Sequence, residues 1–302
     1  MFKKWSKGVA ALIIVGAIIA GGTMAVNTDG SDHPIGSDET PEVALSSALS
    51  PPVTQAVSIK AVAAAPLATT DIAPHADAAA ILERVDGYRG YQEPFSMAIT
   101  VTDRGTDGKP GNRLRFTAHI KDRGSSFLQY TYPPVDQGKL LLMVNEAIWF
   151  YHKKISKPLR LSQRQRLLGN VSNADVARAN FAIDYTPQVR GFEVIDGQKA
   201  LMLTLTAKHE QVAYAQIIMA VHPRTYRPIL GRFYAASGKL LKTSTYDSYQ
   251  RVGDGEKLQT MTIRDAILTD TQTQIEYRDY QLQALPPHYY NPDFLPRIRQ
   301  LE

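Results

Sequence analysis

From Phe95 onward the chain alternates apolar and polar residues. In FSMAITVT the apolar positions are Phe95, Met97, Ile99 and Val101. In RLRFTAHIK they are Leu114, Phe116, Ala118 and Ile120, set against Arg113, Arg115, Thr117, His119 and Lys121. A period of two belongs to a strand with one buried face. The same habit returns in KLLLMV, AIWFYHKK, ALMLTLTAK, AYAQIIMAVH, PILGRFYA, KLLKTSTYDSY, LQTMTIRDAIL and TQIEYRDYQL. Turn signals separate many of these runs: Asp107-Gly108, Asp196-Gly197, Ser237-Gly238 and Gly253-Asp254-Gly255. The pattern predicts one large antiparallel sheet, curled or closed. Ahead of it, ADAAAILERVDGY places Ala79, Leu82 and Val85 on one face of a short helix that Gly87 stops. Two stretches break the alternation. One is the basic run after the aromatic strand, followed by SNADVARANF; the other is the tail YYNPDFLPRI, which predicts a short terminal helix. No internal repeat is present.

The N-terminal quarter reads differently. MFKKWSKGVAALIIVGAIIAGGTMAVN has Lys3, Lys4 and Lys7 ahead of an apolar run from Val9 to Ala20, with Thr23 and Ala25 as small residues for a cleavage site. Residues 1–25 are therefore expected to be a secretory signal peptide or an N-terminal membrane anchor. Either one places the rest of the chain outside the cytoplasm, because the positive charges stay inside. Residues 26–75 are rich in Ala, Pro, Ser and Thr, nearly free of aromatics and without a period. They are expected to be a disordered linker, since they offer too little apolar surface to offset the entropy of ordering. The folded domain is expected to span residues 76–302.

Composition narrows the function. The 302 residues are 44% hydrophobic and 21% charged, with a net charge of +5, a mild basic excess that does not suit a dedicated nucleic-acid binder. The absence of cysteine excludes disulfides, thiol catalysis, thiolate metal sites and a lipid-modified cysteine. HEQVA, from His209, starts like a zinc-peptidase motif but has Ala213 where the second histidine belongs. No nucleophile elbow, phosphate loop or dinucleotide fingerprint occurs. His119 alternates onto the polar face of its strand, which predicts a solvated histidine, and Asp175 sits where a helix begins, which predicts a capping or dipole role. No catalytic, cofactor or metal residue is expected.

Two features remain. Phe95, Met97, Phe116, Ile120, Leu128, Tyr130, Trp149, Tyr151, Leu203, Ile217, Met219 and Phe233 stand where they could line one concave surface, either as a filled core or as a ligand cavity. After the aromatic strand come Lys153, Lys154, Lys157, Arg160, Arg164 and Arg166 with no acid among them, ending at Gly169. That run is either a solvated loop or a docking patch.

The stretch YPPVDQGKLLLMVNEAIWFYHKKISKPLRLSQRQRLLGNVSNADVARANFAIDY resembles the outer-membrane lipoprotein-sorting family, the LolA/LolB-like carriers of Gram-negative envelopes. The shared order is a Pro–Asp–Gly turn, a long strand, a Trp–x–Tyr strand, a basic stretch, a glycine and an Asp-containing helix. The likeness continues through VHPRTYRPILGRFYAASGKLLKTSTYDSYQRV, MTIRDAILTDTQTQIEYRDYQL and NPDFLPRI, so it runs from about Ala76 to Ile298. His152-Lys153 stands where many relatives have Leu-Pro, and the linker is unusually long. The resemblance implies an α+β, mostly β fold: an incomplete, half-open antiparallel barrel with short helices forming a lid over an apolar cavity. It also implies a non-enzymatic periplasmic carrier that shields lipid or lipoprotein acyl chains on the way to the outer membrane. An inner-membrane transporter or outer-membrane receptor would be its protein partner, and an anionic membrane surface would be met through the cationic run. The alternative is a lipid-sensing or transporter-accessory module on the same fold.

Overall fold

The computed structural model describes residues 77–177, 180–267 and 271–298. All fall within one compact unit, Ala63–Glu302. The signal or anchor and the linker expected over 1–75 lie outside the described residues.

A helix, α1 (Ala78–Gly87), opens the fold. Asp77 caps it by accepting from the backbone N–H of Ala79 at 2.9 Å. Its buried face is Ile81, Leu82, Val85 and Asp86, while Ala79 is exposed. The larger aliphatic Ile81 takes the inward position expected for Ala79, because burying it removes more apolar area from water.

Five strands follow: β1 (Phe95–Arg104), β2 (Pro110–Asp122), β3 (Ser125–Tyr132), β4 (Leu140–Val144) and β5 (Ala147–Tyr151). The basic stretch forms only short strands, β6 (Leu159–Leu161), β7 (Arg166–Leu168) and β8 (Val171–Ser172). Two brief helices come next, α2 (Asn173–Ala177) and α3 (Phe181–Asp184). The chain then returns through β9 (Tyr185–Ile195), β10 (Gln198–Ala207), β11 (Gln216–Val221), β12 (Pro228–Tyr234), β13 (Leu240–Val252), β14 (Gly255–Asp265) and β15 (Gln272–Leu282). The short helix expected in the tail is of the 3-10 type and comes as two pieces, Pro287–Tyr290 and Pro292–Arg297. Pro296, inside the second piece, lacks the N–H that continued α-helical bonding needs.

Thirteen strands form one antiparallel sheet in the order β6-β5-β4-β3-β2-β1-β15-β14-β13-β12-β11-β10-β9. Its end strands, β6 and β9, do not pair with each other, so the sheet is not closed into a barrel. β7 and β8 form a separate two-stranded ribbon. The large sheet must nevertheless curl. Ser126 on β3 donates through Oγ to the carbonyl of Ala177 on α2, and Lys242 on β13 pairs with Asp175 on that same helix. Between β3 and β13 lie five strand intervals, roughly 24 Å across a flat sheet at the usual spacing. A five-residue helix is only about 7.5 Å long. It meets both strands, through the Ala177 carbonyl and the Asp175 carboxylate, because the inner faces turn toward each other.

The inner face and the three helices share the main core, which includes Phe95, Ile99, Phe116, Leu128, Leu203, Ile217, Ile263 and Ile275. The outer face carries a second cluster of Phe127, Leu140 and Leu142, covered by Tyr290 and Leu295 of the tail. His119 projects to this outer face, opposite Phe127 in the strand register, and is buried rather than solvated. The parity of β2 is as expected. What overturns the solvated reading is the tail, whose Tyr289 packs on Phe127, which in turn lies against the imidazole. Burial lowers the His119 pKa from its ordinary value.

Candidate functional site: a roofed inner face with two hollows

Three polar ties hold the helices to the sheet and to one another. The first is around Asp175, the third helical residue of α2. Its carboxylate accepts from the backbone N–H of Ser172 at 2.7 Å and from Ser172 Oγ at 2.9 Å. The carboxylate reaching back to the Ser172 N–H is one half of a capping box and gives Asp175 the capping place expected for it. Lys242 Nζ pairs with the same carboxylate, and Tyr214 Oη donates to its other oxygen at 2.9 Å. Burial works to raise the Asp175 carboxyl, but Lys242 and the Ser172 hydrogen bonds outweigh it and hold the group below its ordinary value. Lys242 also lies over the faces of Tyr214 and Phe233, at 4.7 and 5.6 Å from the ring centroids.

The second tie joins α1 to α3. Asp86 accepts the backbone N–H groups of Phe181 and Ala182, both at 2.8 Å. Burial pushes its pKa up to about 7, against those two hydrogen bonds and the charge of Arg89. The third tie joins the end of α1 to β14. Lys257 Nζ donates to the carbonyls of Gly87 and Gly90 at 2.7 and 2.6 Å, and lies 4.0 Å from the centroid of Tyr91.

Two hollows remain beneath this roof. One, about 460 Å³ including its open mouth, is lined by Arg89, Gln163, Ala174, Asp175, Asn180, Phe181, Asp184, Tyr185, Val212, Ala213, Tyr214, Phe233, Tyr246 and Met261. The other, about 380 Å³ likewise including its open mouth, is bounded by Gly90, Tyr91, Phe95, Ile120, Asp122, Arg123, Ser126, Met143 and Ala177, together with Asp86. Asn180 borders both.

Among the residues expected on one concave surface, Phe233 lines the first hollow, and Phe95 and Ile120 line the second. Met97, Phe116, Leu128, Tyr130, Leu203, Ile217 and Met219 are buried in the same inner core but line neither hollow. Trp149 and Tyr151 correct the expectation: they pack in the outer cluster with the tail. On β5 it is Ile148 and Phe150 that face the inner core. The register explains it, since Trp149 pairs with Leu142 and Tyr151 with Leu140, the outward residues of β4. Both faces of β4 and β5 are apolar, so alternation in the sequence does not say which face looks inward.

The six basic residues are all exposed, but they do not form one uniform patch. Arg164 donates through Nη2 to the carbonyls of Glu210 and Val212 at 3.2 and 3.1 Å. Val212 and the neighbouring Gln163 line the first hollow, so Arg164 sits at its rim. Arg166 lies 3.9 Å from Asp265, and Arg160 lies over the ring of Trp149. Lys153, Lys154 and Lys157 have no ion-pair partner among the described residues. Gly169 ends the run for a steric reason. It adopts φ +52°, and a Cβ there would lie 2.3 Å from both Asp103 Oδ1 and Thr273 Oγ1. Asn170 continues the contact by donating from its backbone N–H to Thr273 Oγ1 at 2.8 Å.

Sequence reasoning missed Arg89, Gln163, Tyr214, Lys242 and Tyr246 in the first hollow and its walls. On β13 the inward residues are Lys242, Ser244 and Tyr246, and all three are buried. Nothing in that polar series marks it as an inner face. Among the described residues no group of His, Asp and Glu is placed to hold a metal ion, and no helix is long and apolar enough to cross a membrane.

An open antiparallel sheet, curled around an apolar face and roofed by short helices, defines a half-barrel fold with hollows between sheet and roof. A LolA superfamily protein from Nitrosomonas europaea has this fold, with a TM-score of 0.67 and 31% sequence identity over 72% of this chain and 98% of that one. The chain belongs to the LolA superfamily. A putative outer membrane lipoprotein-sorting protein domain from Vibrio parahaemolyticus shares the fold at 16% identity, with a TM-score of 0.62 and coverage of 73% and 98%. So does a DUF1329 family protein from Desulfovibrio piger, at 18% identity, a TM-score of 0.62 and coverage of 72% and 97%. A family model described only as an uncharacterized protein matches residues 122–297. No match is found among curated proteins.

Proposed function

We propose that this protein is a non-enzymatic periplasmic carrier that holds acyl chains of lipid or lipoprotein between its sheet and its helical roof and delivers them toward the outer membrane. The observation that carries the reading is the pair of hollows on an inner face otherwise packed with aliphatic and aromatic side chains. Each methylene moved there from water contributes about 0.8 kcal/mol, so partial insertion of one chain holds cargo while leaving release accessible. The roof consists of short helices held by apolar packing and a few polar contacts, without the continuous strand pairing of the sheet, which leaves it easier to displace. The exposed lysines at 153, 154 and 157 supply cations for lipid phosphates or an acidic receptor, and Arg164 supplies one at the rim of the first hollow. The delivery partner on this reading is an inner-membrane transporter or an outer-membrane receptor.

Native mass spectrometry of the protein purified from its own envelope tests the reading. The expected result is a mass excess that dissociates as acyl lipid or acylated peptide. Protein recovered free of lipid, which also fails to take up a fluorescent fatty acid after delipidation, sinks it.

A further inference from the structure

We propose that the first hollow contains a subsite for an amide-linked acyl chain, with Gln163 accepting the amide N–H and Arg89 and Tyr246 donating to its carbonyl. The inference rests on the carrier reading above and names the linkage that such cargo presents.

The polar groups in this hollow are arranged unlike a packed core. Gln163 is only 5% exposed, and its side-chain Nε2 donates to the carbonyl of Glu146 at 2.9 Å. That bond fixes which end of the amide is which, because a carbonyl can only accept. Oε1 is thereby committed as an acceptor, yet it has no donor among the described residues. Tyr246, 7% exposed, lies near Ser244, but neither hydroxyl makes a well-formed hydrogen bond. Arg89 is equally buried; its Nη2 reaches the carbonyl of Asp175 at 3.3 Å, and Tyr277 and Tyr246 are its electrostatic neighbours. Its guanidinium has five N–H groups, so donor capacity remains. A buried polar atom left without a partner costs free energy, and two such atoms, Gln163 Oε1 and Tyr246 Oη, belong to residues that line this hollow.

The ligand that satisfies them needs one donor and one acceptor close together on an apolar chain. A secondary amide has both, pointing in opposite directions within its plane. It can therefore bridge Gln163, on the connection between β6 and β7, to Arg89 and Tyr246, on other elements around the same hollow. An ester offers only acceptors and leaves Gln163 Oε1 unpaired. A carboxylate likewise brings no N–H to Gln163 Oε1. Apolar contacts for the chain come from Phe181, Val212, Phe233 and Met261.

The test uses the delipidated full chain and displacement of a fluorescent fatty-acid probe by N-methylpalmitamide or methyl palmitate, which differ at the linkage only by N–H against O. The wild type should bind the amide roughly tenfold more tightly, the ratio set by one well-made hydrogen bond to a buried acceptor. Gln163→Met should bring the two ligands to equal affinity by weakening the amide, and Tyr246→Phe should weaken both. Circular dichroism confirms the fold of each variant. Equal affinity for amide and ester in the wild type overturns the subsite while leaving the carrier reading intact, and this arm needs no variant. Displacement by neither ligand overturns both.

Discussion

At the scale of single residues, the most consequential contact is the Asp175–Lys242 pair. Both side chains are less than a tenth exposed, and Tyr214 and Ser172 complete the hydrogen bonding of the carboxylate. Removing one partner of such a pair leaves the other charge buried and unpaired, which typically costs about 3–5 kcal/mol. Lys242→Met should therefore lower the urea midpoint by an amount corresponding to several kcal/mol. The double variant Lys242→Met with Asp175→Leu should recover much of the loss, because no lone charge then remains. Equal destabilisation in the single and double variants would mean that packing around Lys242, and not the charge, is what matters. Half of this contact was legible beforehand. The place of Asp175 where a helix begins marks a cap or dipole role, whereas nothing local connects it to a lysine 67 positions later.

Among the elements, the α1–α3 junction carries a pH dependence. The folded Asp86 carboxyl titrates near 7, well above the ordinary 3.8. Between those values the folded chain holds a proton that the unfolded chain has released. The stability contributed by this group is thus complete below about pH 4 and is lost as pH rises toward 7. Asp86→Asn removes that slope while keeping one side-chain oxygen for the N–H groups of Phe181 and Ala182. Urea unfolding at pH 5 and pH 8 checks this: the fall in stability between the two should be smaller in the variant than in the wild type. An unchanged difference would place the dependence elsewhere. Most strands were legible at this scale, since their period and turn pairs are local. Asp196 and Gly197, for instance, both take positive φ in the turn between β9 and β10, as a tight hairpin of that composition requires.

For the whole molecule, charge decides how the carrier meets a surface. Lys153, Lys154 and Lys157 are exposed and lack ion-pair partners among the described residues, so changing all three to Glu should leave the unfolding midpoint unchanged. Each cation near an anionic bilayer contributes about 1 kcal/mol. Liposome sedimentation with anionic vesicles should then show association weakened on the order of 100-fold, and wild-type association should fall as salt rises. Wild-type binding by the triple variant would reduce this segment to a solvated loop. Arg160, Arg164 and Arg166 are poor choices for this test because Trp149, backbone carbonyls and Asp265 already engage them.

The sequence by itself determined the strands, the first helix, the need for glycine at several turns and, through the order of motifs from Pro133 to Tyr185, the family. These come from periodicity and turn chemistry, which neighbouring residues settle among themselves. Only the tertiary structure decided which face of β4 and β5 looks inward, that the tail covers His119, and that Lys242 and Tyr246 belong to an inner wall. Strands with two apolar faces carry no local sign of their orientation. Burial of a polar residue depends on what a distant segment lays over it. The polar groups around the first hollow come from positions as far apart as Arg89 and Tyr246, and only the curl of the sheet brings them together.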